Sequence, residues 1–334
     1  MTWFKQVFGF NESTYEETQK RFRVESEHLV TDSDPPRRFH VGSLSVPSLD
    51  ELRAQVAALS KPDGTRLTLR TVVADAYALH TWPEAHGALI QVASQFNLLE
   101  MVGPGVAPED GITRYRNDFT QGPACAMACA PATVFRNYLA PVDGRHGQTG
   151  DRQINALHDL DRALGVPGIR MQNGYALLDP RTVQAIGQRI RSLDEPGRDA
   201  LRKRLRIGVH SDTEVTADGA PPGQRVTQAL CSALPVAYNP PSPDWAPFAS
   251  LVLEASYEAA LLAAVINHRR TGNSKVFLTT VGGGAFGNER EWIIRAVRRA
   301  LRCVQDHPLD VAMVCYGKVS PDVEGLAAEI NAGV

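Results

Sequence analysis

The sequence predicts an α/β fold, a mixed β-sheet flanked by helices. Three observations predict it. Strand and helix patterns alternate through the C-terminal half. Phe248 to His268 is a long apolar-periodic stretch that reads as a helix ended by Gly272. Lys275 to Val281 reads as a strand that enters a glycine turn, Gly282 to Asn288. A helix from Trp292 to Val304 and a strand from Leu309 to Tyr316 follow.

The other elements follow from local patterns. Residues 1–34 are polar and charged around Trp3, Phe4, Phe8, Phe10, Tyr15 and Phe22. They read as a helical N-terminal segment that docks on something, broken at Pro35-Pro36. Ser48-Leu49-Asp50-Glu51 has the form of a capping box and opens a helix to about Leu59. Leu67 to Val73 alternates as a strand does, and Gly87 to Ala93 is a short apolar run of strand length. Gly122-Pro123 starts a helical stretch within Phe119 to Leu139, which Pro131 kinks or restarts. Residues 143–205 are helical in pattern and rich in Arg and Asp, with Asp179-Pro180 as a helix start, and read as a helical insertion flanking a site. Leu205 to Val215 and Arg225 to Val236 read as strands. The division expected is an N-terminal extension over 1–60 and a larger domain over 61–334.

Composition narrows the function. The chain has 334 residues, 43% of them hydrophobic, with 35 Lys+Arg against 37 Asp+Glu and a net charge of −2. That supports a large buried core and argues against nucleic acid as a partner. The longest unbroken apolar run, Ala259 to Ile266, is eight residues, which argues against a membrane span. The first residues lack the apolar stretch of a secretory signal, so a cytoplasmic protein is expected. Cys125, Cys129, Cys231, Cys303 and Cys315 form no CxxC pair or zinc spacing and read as buried free thiols. No metal and no cofactor is expected.

The chemistry concentrates around the glycine turn. Gly282, Gly284 and Gly287 satisfy G-x-G-x-x-G, and glycines before a helix let a phosphate approach backbone N–H groups. A dinucleotide-binding unit fits poorly, because the next strand ends in Cys315-Tyr316 rather than in an acid. A turn with only a packing role is the plain alternative. The sequence Gly-Gly-Gly-Ala-Phe-Gly-Asn resembles the second phosphate loop of macrodomains, above all those of the poly(ADP-ribose) glycohydrolase branch. Two more segments share the resemblance: Ala88 to Asn97, a strand ending in Asn, and Ile112 to Pro123, in the place of the first phosphate loop. Together with Cys231 to Tyr238, these segments resemble most closely the MavL-like group, atypical macrodomains that remove ADP-ribose from arginine. The first loop lacks the usual glycine triplet, and the paired glutamates of the polymer hydrolases are absent.

The resemblance implies a macrodomain-like catalytic domain and a hydrolase that frees ADP-ribose from a modified protein side chain, most of all arginine. Its partners would be ADP-ribose and an ADP-ribosylated protein, with ubiquitin as one such carrier. The alternative is a reader that binds ADP-ribose without cleaving it. Ligand contacts would come from Asn97, Glu100, Thr120, Gln121, Gly122, Gly282, Gly283, Gly284, Ala285, Phe286, Gly287 and Asn288. Glycosidic cleavage needs carboxylates, and the stretch after Asn97 supplies Glu100, Glu109, Asp110 and Asp118. Asp118 is expected as the main catalyst and Asp110 as its partner, with Glu109 exposed. Asp118 also suits a helix cap.

Other clusters carry less. His210, Asp212 and Glu214 alternate on a strand and read as the polar face of an edge strand rather than a metal site. Cys125 and Cys129 fall four apart and read as packed. Arg298, Arg299 and Arg302 read as a solvated helix face.

Overall fold

The computed structural model describes residues 1–60, 64 and 66–333. Its main sheet has seven strands: β1 Ser43–Ser45, β2 Thr68–Val73, β3 Leu89–Ala93, β4 Gly208–Glu214, β5 Arg225–Cys231, β6 Lys275–Leu278 and β7 Asp310–Cys315. In space they run β1-β4-β5-β3-β6-β7-β2. From β5 through β3, β6 and β7 to β2 every pairing is parallel, while β4 is antiparallel to both its neighbours. The predicted mixed sheet with flanking helices is therefore the architecture observed.

Side-chain alternation shows why both faces are covered. Leu89, Val276, Leu278, Val311 and Met313 join the core on one face. Ile90, Phe277, Ala312 and Val314 join the core on the other. A parallel strand buried on both sides must be apolar at nearly every position, and β3, β6 and β7 are. The first face is covered by α1 Leu49–Ala57, α3 Trp245–Thr271 and α4 Arg290–Cys303, the second by α2 Gln121–Ala128 and the turn that follows it. The eight-residue apolar run belongs to α3, a helix long and apolar enough to cross a membrane by length and composition. Its most apolar window is 83% buried within the protein, so it is accounted for as the central core helix.

The N-terminal segment departs from its helical reading. Two short helices, Trp3–Phe8 and Tyr15–Lys20, lead into a three-stranded antiparallel sheet of Phe22–Glu25, His28–Thr31 and Arg38–His40. Its aromatic side chains, together with Met101, Tyr115, Tyr138 and Tyr175, form a second core, which is where the segment docks. The expected boundary at 61 and the chain end at 334 fall on residues outside those described. Residues 43–57, expected in the extension, instead supply β1 and α1 of the main body. The 143–205 stretch holds helices at His158–Leu164, Pro180–Arg191 and Glu195–Arg202, the second capped by Asp179 as expected. It also holds a β-hairpin, Arg170–Gln172 with Tyr175–Leu177. The Asn173-Gly174 turn of that hairpin has φ of 47° and 80°, the left-handed pair that such tight turns require.

Three smaller expectations change. Strand β4 lies inside the sheet, not at its edge, and a bulge between His210 and Thr213 breaks the alternation. His210 is buried, bonded through Nε2 to the Val41 carbonyl at 2.8 Å, and burial holds its pKa down to about 3. Arg298 and Arg302 each lie 3.0 Å from Glu329, and Arg299 pairs with Glu258 and Asp199, so that face is ion-paired. Cys303 is exposed, unlike the other four cysteines.

The Ser48 capping box forms as read: Ser48 Oγ accepts from Glu51 N at 3.2 Å, and Glu51 Oε2 accepts from Ser48 N at 2.7 Å. Ser48→Ala should cost about 1 kcal/mol of stability. Urea unfolding checks this, and an unchanged midpoint would show that α1 is held by packing alone.

Candidate functional site

Five parallel strands end at one edge of the sheet, and there the chain changes direction. After β3 the next sheet strands, β4 and β5, lie on one side of it, while β6 and β7 lie on the other. Their connections diverge above the end of β3 and leave a crevice, where open α/β sheets bind ligands. A cleft of about 480 Å³ opens there. Each parallel strand contributes: Asp75 follows β2, Ser94 and Gln95 follow β3, Ala233 follows β5, Thr279 to Gly282 follow β6, and Tyr316 follows β7. None of the lining residues among those described is Lys or Arg.

The glycine loop forms one wall. Gly282 has φ +84°, and a Cβ there would lie 2.5 Å from the Ala233 Cβ. Gly287 has φ +70° and would meet Ala237 at 2.8 Å. Asn288 is buried; its side chain donates to Leu234 O at 2.8 Å, and its backbone N donates to Gly282 O at 2.9 Å, closing the loop on itself. Gly284 alone among the four glycines has open space where a Cβ would stand. Gly282, Gly284, Ala285 and Phe286 line the cleft, while Gly283, Gly287 and Asn288 are not among its lining residues. Tyr257 of α3 pegs the loop's start: its hydroxyl donates to Thr279 O at 2.7 Å and accepts from Val281 N at 2.9 Å.

The opposite wall is the start of α2. Thr120 is its N-cap but makes no side-chain cap hydrogen bond, so no side chain occupies the helix's first donors from that position. Gln121 ties the helix to β3, accepting from Ala93 N at 2.7 Å and donating to Gln91 O at 2.9 Å. Its side chain is thus committed to the scaffold. A Cβ on Gly122 would lie 2.3 Å from Ala93 O, so only glycine permits this approach.

Glu100 lies between the walls. The chain turns sharply after β3, with Leu98 at φ 64°, and returns Glu100 toward α2. It is 1% exposed yet lines the cleft. Neither carboxyl oxygen has a hydrogen-bond partner among the described residues. Arg136, fully buried, stands 3.5 Å away. Burial pushes the Glu100 pKa up to about 7, against the opposing pull of Arg136. A carboxyl poised near neutrality in a cleft suits proton transfer.

Of the other expected acids, only Asp118 reaches the cleft. Asp118 is half-buried, lines the cleft and accepts from Thr120 N at 2.9 Å, so it serves the turn before α2 as well. Asp110 does not line the cleft; it accepts from Ala107 N at 2.8 Å in its own turn. Glu109 is exposed and holds Gly150 N. Asn97 also misses the cleft. It is fully buried, accepting from Leu99 N at 3.1 Å and donating to Gln153 Oε1 at 2.9 Å, which makes it the anchor of the turn rather than a surface for ligand. Sequence reasoning passed over Tyr175 and Tyr238, whose rings lie 5.5 and 5.8 Å from Phe286 and form an aromatic corner. The Asn173-Gly174 pair was the signal for the hairpin that brings Tyr175. Phe119 and Tyr316, 96% and 86% exposed, also line the cleft. Among the described residues no cluster of His, Cys, Asp or Glu is set to hold a metal.

No family model and no curated protein matches the chain. Among solved structures it is similar to the poly(ADP-ribose) glycohydrolase of Deinococcus radiodurans in complex with ADP-ribose. Identity is 12% over 87% of this chain and 96% of that one, with a TM-score of 0.44. It is also similar to the poly(ADP-ribose) glycohydrolase of Thermomonospora curvata, at 13% identity over 94% and 95%, with a TM-score of 0.38.

Two outcomes follow from this geometry. Gly284→Ala should leave stability within about 1 kcal/mol, whereas Gly282→Ala should cost more than about 2 kcal/mol, since it adds a clash to a left-handed φ. Equal midpoints in urea would refute the loop geometry. The second concerns pH. The folded pKa of Glu100 lies above its ordinary value of 4.5, so the folded state holds the proton more tightly. Its contribution to stability is then present at low pH and lost as pH rises from about 4.5 through about 7. Relative to Glu100→Gln, the wild type should lose about 3 kcal/mol between about pH 4.5 and pH 8. Parallel stability curves for the two proteins would mean that Glu100 titrates normally.

Proposed function

We propose that this protein is an ADP-ribosyl hydrolase that removes ADP-ribose from modified protein side chains, arginine foremost. Ubiquitin as the carrier rests on the family resemblance alone. The observation that carries the reading is one cleft with an open glycine loop, an uncapped helix start and a buried carboxyl whose oxygens accept no hydrogen bond among the described residues. With no cation among the described lining residues, a diphosphate would be held by backbone N–H groups of the Gly282–Phe286 loop and the start of α2. The aromatic corner of Tyr175, Tyr238 and Phe286 would close over the distal ribose near Glu100, and the exposed rings of Phe119 and Tyr316 offer a surface for the base.

The chemistry follows from the two acids. Water attacks the anomeric carbon of the distal ribose and gives a proton to the Asp118 carboxylate. The carbon–nitrogen bond breaks, its electron pair stays on the guanidine nitrogen, and Glu100 supplies the proton that the leaving group takes. Glu100 thus joins Asp118 in the catalytic pair in place of Asp110. A reader of ADP-ribose is the second reading, favoured by the hydrogen bond that already gives Asp118 a structural task.

Calorimetry with ADP-ribose and release of ADP-ribose from an arginine-ADP-ribosylated protein decide between them. Gly284→Glu, where the side chain has room, should abolish binding by setting a carboxylate where phosphate sits. Glu100→Gln and Asp118→Ala should keep binding and lose turnover by about 10²–10⁴-fold. Tight binding without turnover in the wild type would favour the reader. No binding in the wild type would refute both readings.

A further inference from the structure

We infer that Glu12 is a positioning residue of the cleft, clasping the backbone that sets Glu100 and Asp118, so that the N-terminal segment is a working part of the site. The inference rests on the hydrolase reading. Glu12 Oε1 accepts from Ile112 N at 2.9 Å and Oε2 from Thr113 N at 2.7 Å, so one carboxylate holds the start of the 3₁₀ turn Thr113–Asn117. The approach is close: Gly111 has φ +77°, and a Cβ there would lie 2.5 Å from Glu12 Oε2. The indole Nε1 of Trp3 donates to Thr113 O at 2.8 Å, a second tie from the same segment.

From that turn two paths reach the acids. The Tyr115 hydroxyl accepts from Glu100 N at 3.1 Å, and Asp118 follows the turn directly. A third path leads to the residue behind Glu100. The Tyr138 hydroxyl donates to Glu12 Oε1 at 2.5 Å, and Tyr138 lies in the same π-helical turn as Arg136. One carboxylate therefore joins the backbone leading to Asp118, the tyrosine that holds Glu100 and the turn that carries Arg136. Small displacements of catalytic groups are costly, and two successive N–H bonds to a charged acceptor fix a short turn firmly.

The test compares Glu12→Ala and Glu12→Gln in the full chain. The readouts are single-turnover release of ADP-ribose from arginine-modified protein, calorimetry with ADP-ribose, and amide hydrogen exchange. Glu12→Ala should keep ADP-ribose affinity within about threefold while its rate constant at saturation falls at least about tenfold. Exchange should quicken at residues 112–118 and at the Glu100 amide. Glu12→Gln, which keeps one acceptor oxygen, should fall between the two. Should Glu12→Ala fail to fold, Glu12→Gln and Trp3→Phe carry the same comparison. An active wild type with an unchanged rate constant in the variants overturns the inference and leaves the hydrolase reading standing. A wild type that binds but releases nothing overturns the hydrolase reading. In that event unchanged exchange at Glu100 also overturns the positioning role, and quickened exchange there upholds it.

Discussion

Arg136 makes it possible to keep a carboxyl at the floor of this cleft. A lone acid buried there would be forced neutral, and a fully bonded one would have no capacity left for a ligand. Arg136 is itself buried, and it spends its Nε on Leu98 O at 2.8 Å and Nη2 on Thr133 Oγ1 at 3.2 Å. Its Nη1 has no hydrogen-bond partner among the described residues, and it faces Glu100 as a charge, with Nη2 3.5 Å from Oε1. Burial and this charge pull the acid in opposite directions and leave it near neutrality. Removing one member of such a pair typically costs about 3–5 kcal/mol, so the fold depends on the pair as much as the proposed chemistry does.

The rest of the site is arranged around that pair. Five strand ends at one edge give a crevice; Gly122 lets α2 come down against β3; Gln121 fixes the helix there; and Tyr257 fixes the opposing glycine loop. Asn97, fully buried in hydrogen bonds, shapes the turn that returns Glu100 to the cleft. The N-terminal segment adds a second core of aromatic side chains beneath the acid-bearing stretch.

The strands and long helices were legible because their apolar patterns are local and strong. The capping box at Ser48 and the Gly272 stop of α3 are likewise written in a few adjacent residues. The cleft's position was legible too, through the glycine loop. What escaped was decided by partners distant in sequence or by single turns too short to carry a pattern. Asn97 looked like a ligand residue because nothing local reveals that Gln153 and Leu99 N take up its amide. Asp110 looked like a catalyst because its turn was not visible. Glu100 was expected as a ligand contact and not as the proposed acid, since nothing local reveals that it is buried against Arg136, thirty-six positions away. The hairpin that delivers Tyr175 carried a strong Asn-Gly signal, hidden by the Arg- and Asp-rich helical pattern around it.

The most direct test is the pH dependence of single-turnover ADP-ribose release from an arginine-ADP-ribosylated protein. If Glu100 supplies the proton to the leaving group, the rate should fall as pH rises through about 7, and the residual rate of Glu100→Gln should lack that limb. A wild-type rate that stays flat across that range, or a Glu100→Gln variant as fast as the wild type, would contradict the account.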